Sequence, residues 1–85
     1  MATASEIVLS GYTTRQIERL LETNLDNLAR RKRQSTIAFD AYSLERDEQR
    51  KYDLYDLFSL VVREINAIEA NVDMFKTALE KRANK

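Results

Sequence analysis

The chain has 85 residues, with 14 basic and 14 acidic side chains, one glycine, and no proline, histidine or cysteine. A chain of this length forms one small domain and buries only a modest fraction of its unfolded surface. The lack of cysteine excludes disulfides and thiolate metal sites, and the lack of histidine removes the commonest metal ligand and general acid or base. The sequence therefore predicts no catalytic residues, cofactor, metal or small-molecule substrate.

Composition favours long helices. One third of the residues are charged, and leucine, alanine, glutamate, arginine and lysine are frequent, as in coiled coils. No apolar run approaches the roughly 20 residues that span a bilayer. Residues 1–9 lack the basic and apolar regions of a secretory signal. We therefore expect no membrane contact and a cytoplasmic location, with host targeting and non-classical export left open.

The N-terminal residues 1–12 are expected to be a flexible lead before a single helical domain at 13–85. The first helix is predicted to begin at Thr13 or Thr14, because Thr13 and Gln16 have the spacing of a capping box. An apolar face then marks the first arm: Ile17, Leu20, Leu21, Leu25 and Leu28.

Two polar runs, residues 30–36 and 45–51, interrupt the apolar pattern. A turn within 45–51 would give two arms of about 32 residues that bury each other, although these residues are mostly good helix formers. A turn at 34–36 would use better turn residues but would leave a second helix of about 46 residues that overhangs the first. Both positions stay open, as do a broken first arm and one continuous helix of about 70 residues paired only in an oligomer.

A regular apolar seam runs from Leu54 to Leu79. Its steps alternate between four and three residues, which is the a/d repeat of helices that pack knobs into holes. The seam consists of Leu54, Phe58, Val61, Ile65, Ile68, Val72, Phe75 and Leu79. The predicted fold is an all-α, coiled-coil-like antiparallel helical hairpin that is completed by oligomerisation.

Three further apolar residues, Leu57, Leu60 and Val62, widen the apolar arc beyond the roughly 100° of an ordinary core-facing helix. The five aliphatic residues of the first arm cannot cover that arc, and excess apolar surface on a small chain indicates association. We therefore predict a non-enzymatic protein-interaction module, such as a small adaptor, assembly or helper protein, that binds a protein partner or a second copy. The predicted interface comprises Leu54, Leu57, Phe58, Leu60, Val61, Val62, Ile65, Ile68, Val72, Phe75 and Leu79.

A cluster of four consecutive basic residues supports an alternative function. Arg30, Arg31, Lys32 and Arg33 could contact nucleic acid or another anion, with the long second helix as a dimerisation element. Four consecutive cations on a helix point in different directions, however, which is poor geometry for following a line of phosphates. The alternative therefore ranks below protein interaction.

Overall fold

The computed structural model describes residues 8–84. Helix α1 (Thr14–Leu44) packs against helix α2 (Glu48–Ala83) as an antiparallel hairpin, and residues 8–84 contain no strand. The molecule is an elongated body of 57 × 23 × 17 Å. The predicted all-α hairpin is confirmed. The broken first arm, which the sequence left open, is excluded because α1 is one continuous helix.

A capping box starts α1. The Thr13 hydroxyl oxygen accepts the Gln16 N–H at 3.1 Å, and Gln16 Oε1 accepts the Thr13 N–H at 2.8 Å. The two side chains satisfy two backbone donors that the first turn of a helix leaves without partners. The start predicted from the sequence is therefore confirmed.

Residues 45–47 connect the two helices, so the turn lies in the second polar run and the alternative at 34–36 is wrong. Glu45 Oε1 accepts the N–H groups of Arg46 and Asp47, each at 3.1 Å. Asp47 Oδ1 accepts the Arg50 N–H at 2.9 Å and caps α2. Two carboxylates thus supply the turn chemistry in a run of otherwise good helix formers.

The apolar seam of α2 is the inner stripe of the hairpin. All eight of its residues are buried or half-buried. Val61, Ile65, Val72 and Phe75 are the most enclosed, with 5–9% of their surface exposed. The seam therefore packs against α1 within the same chain and forms the core of the hairpin.

The inner stripe of α1 has the same alternating steps of four and three residues, but part of it is polar. It consists of Ile17, Leu21, Asn24, Leu28, Arg31, Ser35, Ala38 and Tyr42, all of them buried or half-buried. Asn24 donates to the Leu20 carbonyl at 2.7 Å, and Ser35 donates to the Lys32 carbonyl at 2.8 Å. These side chains satisfy their own polar groups, so the helix continues through the polar run.

The terminal end of the hairpin is closed by residues 9–17. Leu9, Ile17 and Phe75 form a buried apolar cluster, and Ile17 is fully enclosed. Arg82 donates to the carbonyls of Leu9 and Tyr12 at 3.0 and 2.7 Å. The flexible lead predicted for residues 1–12 stays a prediction, since residues 1–7 lie outside the described residues.

Candidate interaction surface

The hairpin buries little of its apolar content. In residues 8–84 seven hydrophobic side chains are buried, whereas ten large ones are at least 41% exposed. The accessible surface is 6679 Å², compared with about 5,200 Å² expected for a compact monomer of 9.9 kDa. Two helices have no third layer to cover their outer apolar residues, so much apolar surface faces solvent.

Four exposed aliphatic side chains lie in the half of the hairpin nearest the turn. Ile37 is 69% exposed and Leu44 81% on α1, while Leu57 is 49% and Leu60 53% exposed on α2. We call these four residues the aliphatic patch. Isolated exposed leucines are common on protein surfaces, but a grouped set is typical of a binding site.

Helical spacing and one cross-helix contact place the patch on a single face. Arg31 Nε lies 2.9 Å from Glu64 Oε2, and the shallow cleft beside this pair is also lined by Arg30, Gln34 and Ala67. Steps of three and four residues lead from Arg30 and Gln34 to the α1 members of the patch, and from Glu64 back to the α2 members. The four residues therefore flank the same groove, on one broad side of the hairpin.

That broad side, which we call the uncharged face, carries few charges over its central part. One stripe from each helix forms this part: Gln16, Leu20, Thr23, Asn27, Arg30, Gln34, Ile37, Ala41 and Leu44 on α1, and Leu57, Leu60, Glu64, Ala67, Asn71, Met74 and Ala78 on α2. Two of these sixteen residues are charged, Arg30 and Glu64. Toward its two ends the α2 stripe continues to Asp53 and Arg50 and to Lys81, so charged residues border the central part.

The opposite broad side, which we call the charged face, follows the remaining flanking stripes. Those stripes are Arg15, Glu18, Glu22, Leu25, Ala29, Lys32, Thr36, Phe39 and Ser43 on α1, and Tyr55, Ser59, Val62, Asn66, Glu69, Asp73, Lys76 and Glu80 on α2. Eight of these seventeen residues carry a charge. This distribution favours the uncharged face as the side that a partner covers, because charged residues are depleted in the centre of interfaces.

An aromatic cluster lies on the charged side of the turn half. The Phe39 ring centre is 5.5 Å from that of Phe58, and the Tyr42 ring centre is 5.7 Å from that of Tyr55. Lys51 Nζ lies 5.0 Å from the centre of the Tyr42 ring. These contacts join α1 to α2 next to the turn, so the rings contribute to packing between the two arms.

The basic cluster, Arg30–Arg33, occupies one full turn in the middle of α1. Arg31 points inward to Glu64 and also donates to Gln34 Oε1 at 2.9 Å. Arg30 lines the cleft on the uncharged face, and Lys32 lies on the charged face. The structure therefore divides the four basic side chains among different sides of the helix.

The eleven residues predicted as an interface fall into two groups. The eight seam residues lie in the core of the hairpin, and Val62 is half-buried beside them, whereas Leu57 and Leu60 are exposed. Sequence reasoning missed Ile37 and Leu44, the α1 members of the patch. The available signal was their spacing from Arg30, in steps of seven residues that keep them on one side of α1.

Residues 8–84 contain neither a cluster of metal-ligating side chains nor a membrane-spanning helix. No group of three or more potential metal-ligating side chains lies together within residues 8–84. Neither helix has a stretch long and apolar enough to cross a lipid bilayer. Comparisons with protein-family models, with curated proteins and with solved structures give no match for this chain.

Proposed function

We propose that this protein is a non-enzymatic interaction module that binds another helical protein surface through its uncharged face. The observation that carries the proposal is the aliphatic patch, whose four side chains are 49–81% exposed on one side of the turn half. Binding there would remove apolar surface from water, which is the main favourable term in protein association. The protein then acts as a small adaptor, assembly or helper protein.

The geometry of the hairpin supports this function. Adjacent to the patch lie Gln34 and Ala41, which are uncharged and can be covered without leaving an unpaired ion. Charged residues lie around the rim, including Arg50 and Asp53 near the turn. An apolar centre with a polar rim is the usual organisation of a protein interface.

The experiment that tests the proposal is site-specific photo-crosslinking in the cells that make the protein. A photoreactive amino acid replaces Leu60 on the uncharged face or, as the matched control, Leu25, which is a 41% exposed leucine on the charged face. We expect discrete adducts from position 60, formed with this chain or with another protein, and none from position 25. Equal or absent crosslinking at the two positions would overturn the proposal.

A second variant shows that the adducts depend on the patch. With the photoreactive group at Ile37, the double change Leu57→Asp and Leu60→Asp should abolish the adducts while circular dichroism shows an unchanged helix content. Changing Ile65 would be a poor test, because this side chain is 9% exposed within the core and its loss would unfold the hairpin.

A further inference from the structure

We propose that the uncharged face binds a second copy of this chain, with the two hairpins forming an antiparallel four-helix bundle that has both turns at the same end. The inference rests on the proposed function, since it names the partner of the same surface. It is supported by the shape of the face, the distribution of its charges and the levels at which its apolar residues lie.

Shape favours a partner that is itself two helices wide. The hairpin is 57 Å long and 23 Å wide, so the outline of its broad side covers about 1,300 Å². A stable dimer buries about 800 Å² on each partner, so partial coverage of this face is sufficient. Two hairpins stacked face to face give the layered packing of a four-helix bundle, in which each helix gains a second neighbour.

Charge selects one arrangement of the two copies. When the twofold axis runs parallel to the helices, α1 of one copy lies over α2 of the other, and levels along the axis are preserved. Because Arg31 contacts Glu64, the neighbouring Arg30 lies within about one helical turn of the level of Glu64. The charged residues in the middle of the uncharged face, Arg30 and Glu64, then meet as opposite charges between the copies. A carboxylate has two oxygens, so Glu64 can accept both arginines.

The aliphatic patch also matches itself in this arrangement. The Phe39–Phe58 and Tyr42–Tyr55 contacts set the register of the helices, and this register places Ile37 at the level of Leu60. Ile37 of each copy therefore lies over Leu60 of the other. This contact forms twice in the symmetric pair, whereas Leu44 lies at the level of Asp53 of the other copy, near the end of the face.

The other symmetric arrangement has its axis perpendicular to the helices and brings like groups together. At full overlap Arg30, which lies near the middle of α1, would meet Arg30 of the second copy, and the patch would lie over polar residues such as Gln16 and Thr23. Placing the turns of the two copies at the same end, as proposed, causes no comparable repulsion between like charges. Residues 31–65, the turn half, hold seven basic and seven acidic side chains.

Molar mass tests the stoichiometry. Sedimentation equilibrium over a concentration series should give twice the 9.9 kDa of one chain. The double variant Leu57→Asp and Leu60→Asp should sediment as a monomer, while Leu25→Asp on the charged face should stay dimeric. A wild-type mass of one chain at all concentrations would overturn the inference, yet crosslinks from position 60 to another protein would leave the proposed function intact.

Distances between spin labels on the two copies test the arrangement without changing a residue of the uncharged face. The chain has no cysteine, so Arg46→Cys introduces a single labelling site in the exposed turn. Both turns at one end should give an inter-label distance below about 30 Å, because neighbouring helices in a bundle lie 8–10 Å apart. A distance of about 45 Å or more, the length of α1, would overturn the inference by placing the turns at opposite ends.

A charge reversal tests the contact between copies. Arg30→Glu should weaken dimerisation by at least about tenfold, since it would set two carboxylates against each other. Arg33→Glu makes the same change three residues away and off the uncharged face, and it should leave the dissociation constant nearly unchanged. Equal effects of the two reversals would overturn the Arg30–Glu64 contact and the arrangement built on it.

Discussion

Arg31 and Glu64 join the two helices near mid-length, with Arg31 Nε 2.9 Å from Glu64 Oε2. Arg31 occupies a position in the inner stripe of α1 where an apolar side chain would ordinarily pack. The two side chains are 41% and 36% exposed, so solvent screens much of their attraction. The pair therefore helps to align the two helices but adds little to the stability of the hairpin.

Replacing this arginine by an apolar residue should cost little stability. We expect Arg31→Met to leave the free energy of unfolding within about 1 kcal/mol of the wild-type value, because methionine packs in the stripe where the ion pair is lost. Urea unfolding at fixed protein concentration measures the difference. A loss above about 2 kcal/mol would contradict a mainly positioning role for the pair.

The two isoleucines of α1 should respond very differently to the same change. Ile17 is fully enclosed at the terminal end, so Ile17→Ala should lower the free energy of unfolding by about 2–5 kcal/mol. Ile37→Ala removes the same atoms from a 69% exposed position and should leave the fold intact while weakening association. Thermal unfolding combined with sedimentation separates the two effects. Similar losses of stability would contradict the assigned burial.

Arg82 should hold the segment before α1 against α2. Its guanidinium donates to the carbonyls of Leu9 and Tyr12 and to the Thr14 hydroxyl at 2.7–3.2 Å. Arg82→Gln removes most of these donors, so the Tyr12 amide, which donates to the Leu9 carbonyl, should exchange with solvent several-fold faster. Hydrogen exchange followed by mass spectrometry detects this change. Arg63→Gln, on an exposed part of α2, is the control and should leave exchange in residues 9–12 unaltered.

The cap of α2 should contribute measurably to stability. Asp47→Ala removes the acceptor of the Arg50 N–H and should cost about 1 kcal/mol. Asp56→Ala changes the same residue type at an exposed position within α2 and should cost less. Chemical denaturation of both variants gives the comparison. The cap assignment fails if the two changes have the same effect.

Nucleic-acid binding through the basic cluster should be weak or absent. The side chains of Arg30–Arg33 point to different sides of α1, and Arg31 is held by Glu64, so they present no line of cations to a phosphate backbone. Fluorescence anisotropy with duplex DNA and with RNA at low salt measures this directly. Tight binding that falls steeply with salt and disappears when all four residues are changed to Gln would instead support the alternative function.

Two features of the helices could be predicted from the sequence because they depend only on local chemistry. The seam from Leu54 to Leu79 and the Thr13–Gln16 box each depend on residues close together in the sequence, and both are present in the structure. The position of the turn could not be decided from neighbouring residues alone. Asp47 is a good capping residue, but it lies in a run of helix formers, and the competing residues Gln34–Thr36 have turn chemistry of their own.

The polar stretch of α1 shows why the candidate surface could not be derived from the sequence. Asn24, Arg31 and Ser35 continue the inner stripe because each finds a hydrogen-bond or ionic partner, two of them on their own helix and one across the hairpin. This continuity fixes which side of α1 faces α2, and it leaves Ile37 and Leu44 on the same broad side of the hairpin as Leu57 and Leu60.

The sequence by itself therefore determined an all-α chain with one strongly apolar helix, because periodicity and capping are local properties of neighbouring residues. The pairing of the helices decided which apolar residues are buried in the core and which stay exposed. It also decided that the central part of one broad side carries few charges, since Arg31 turns inward to Glu64 while Arg30 alone on α1 remains on that side. These features depend on contacts between the two helices, which no pattern within either helix specifies.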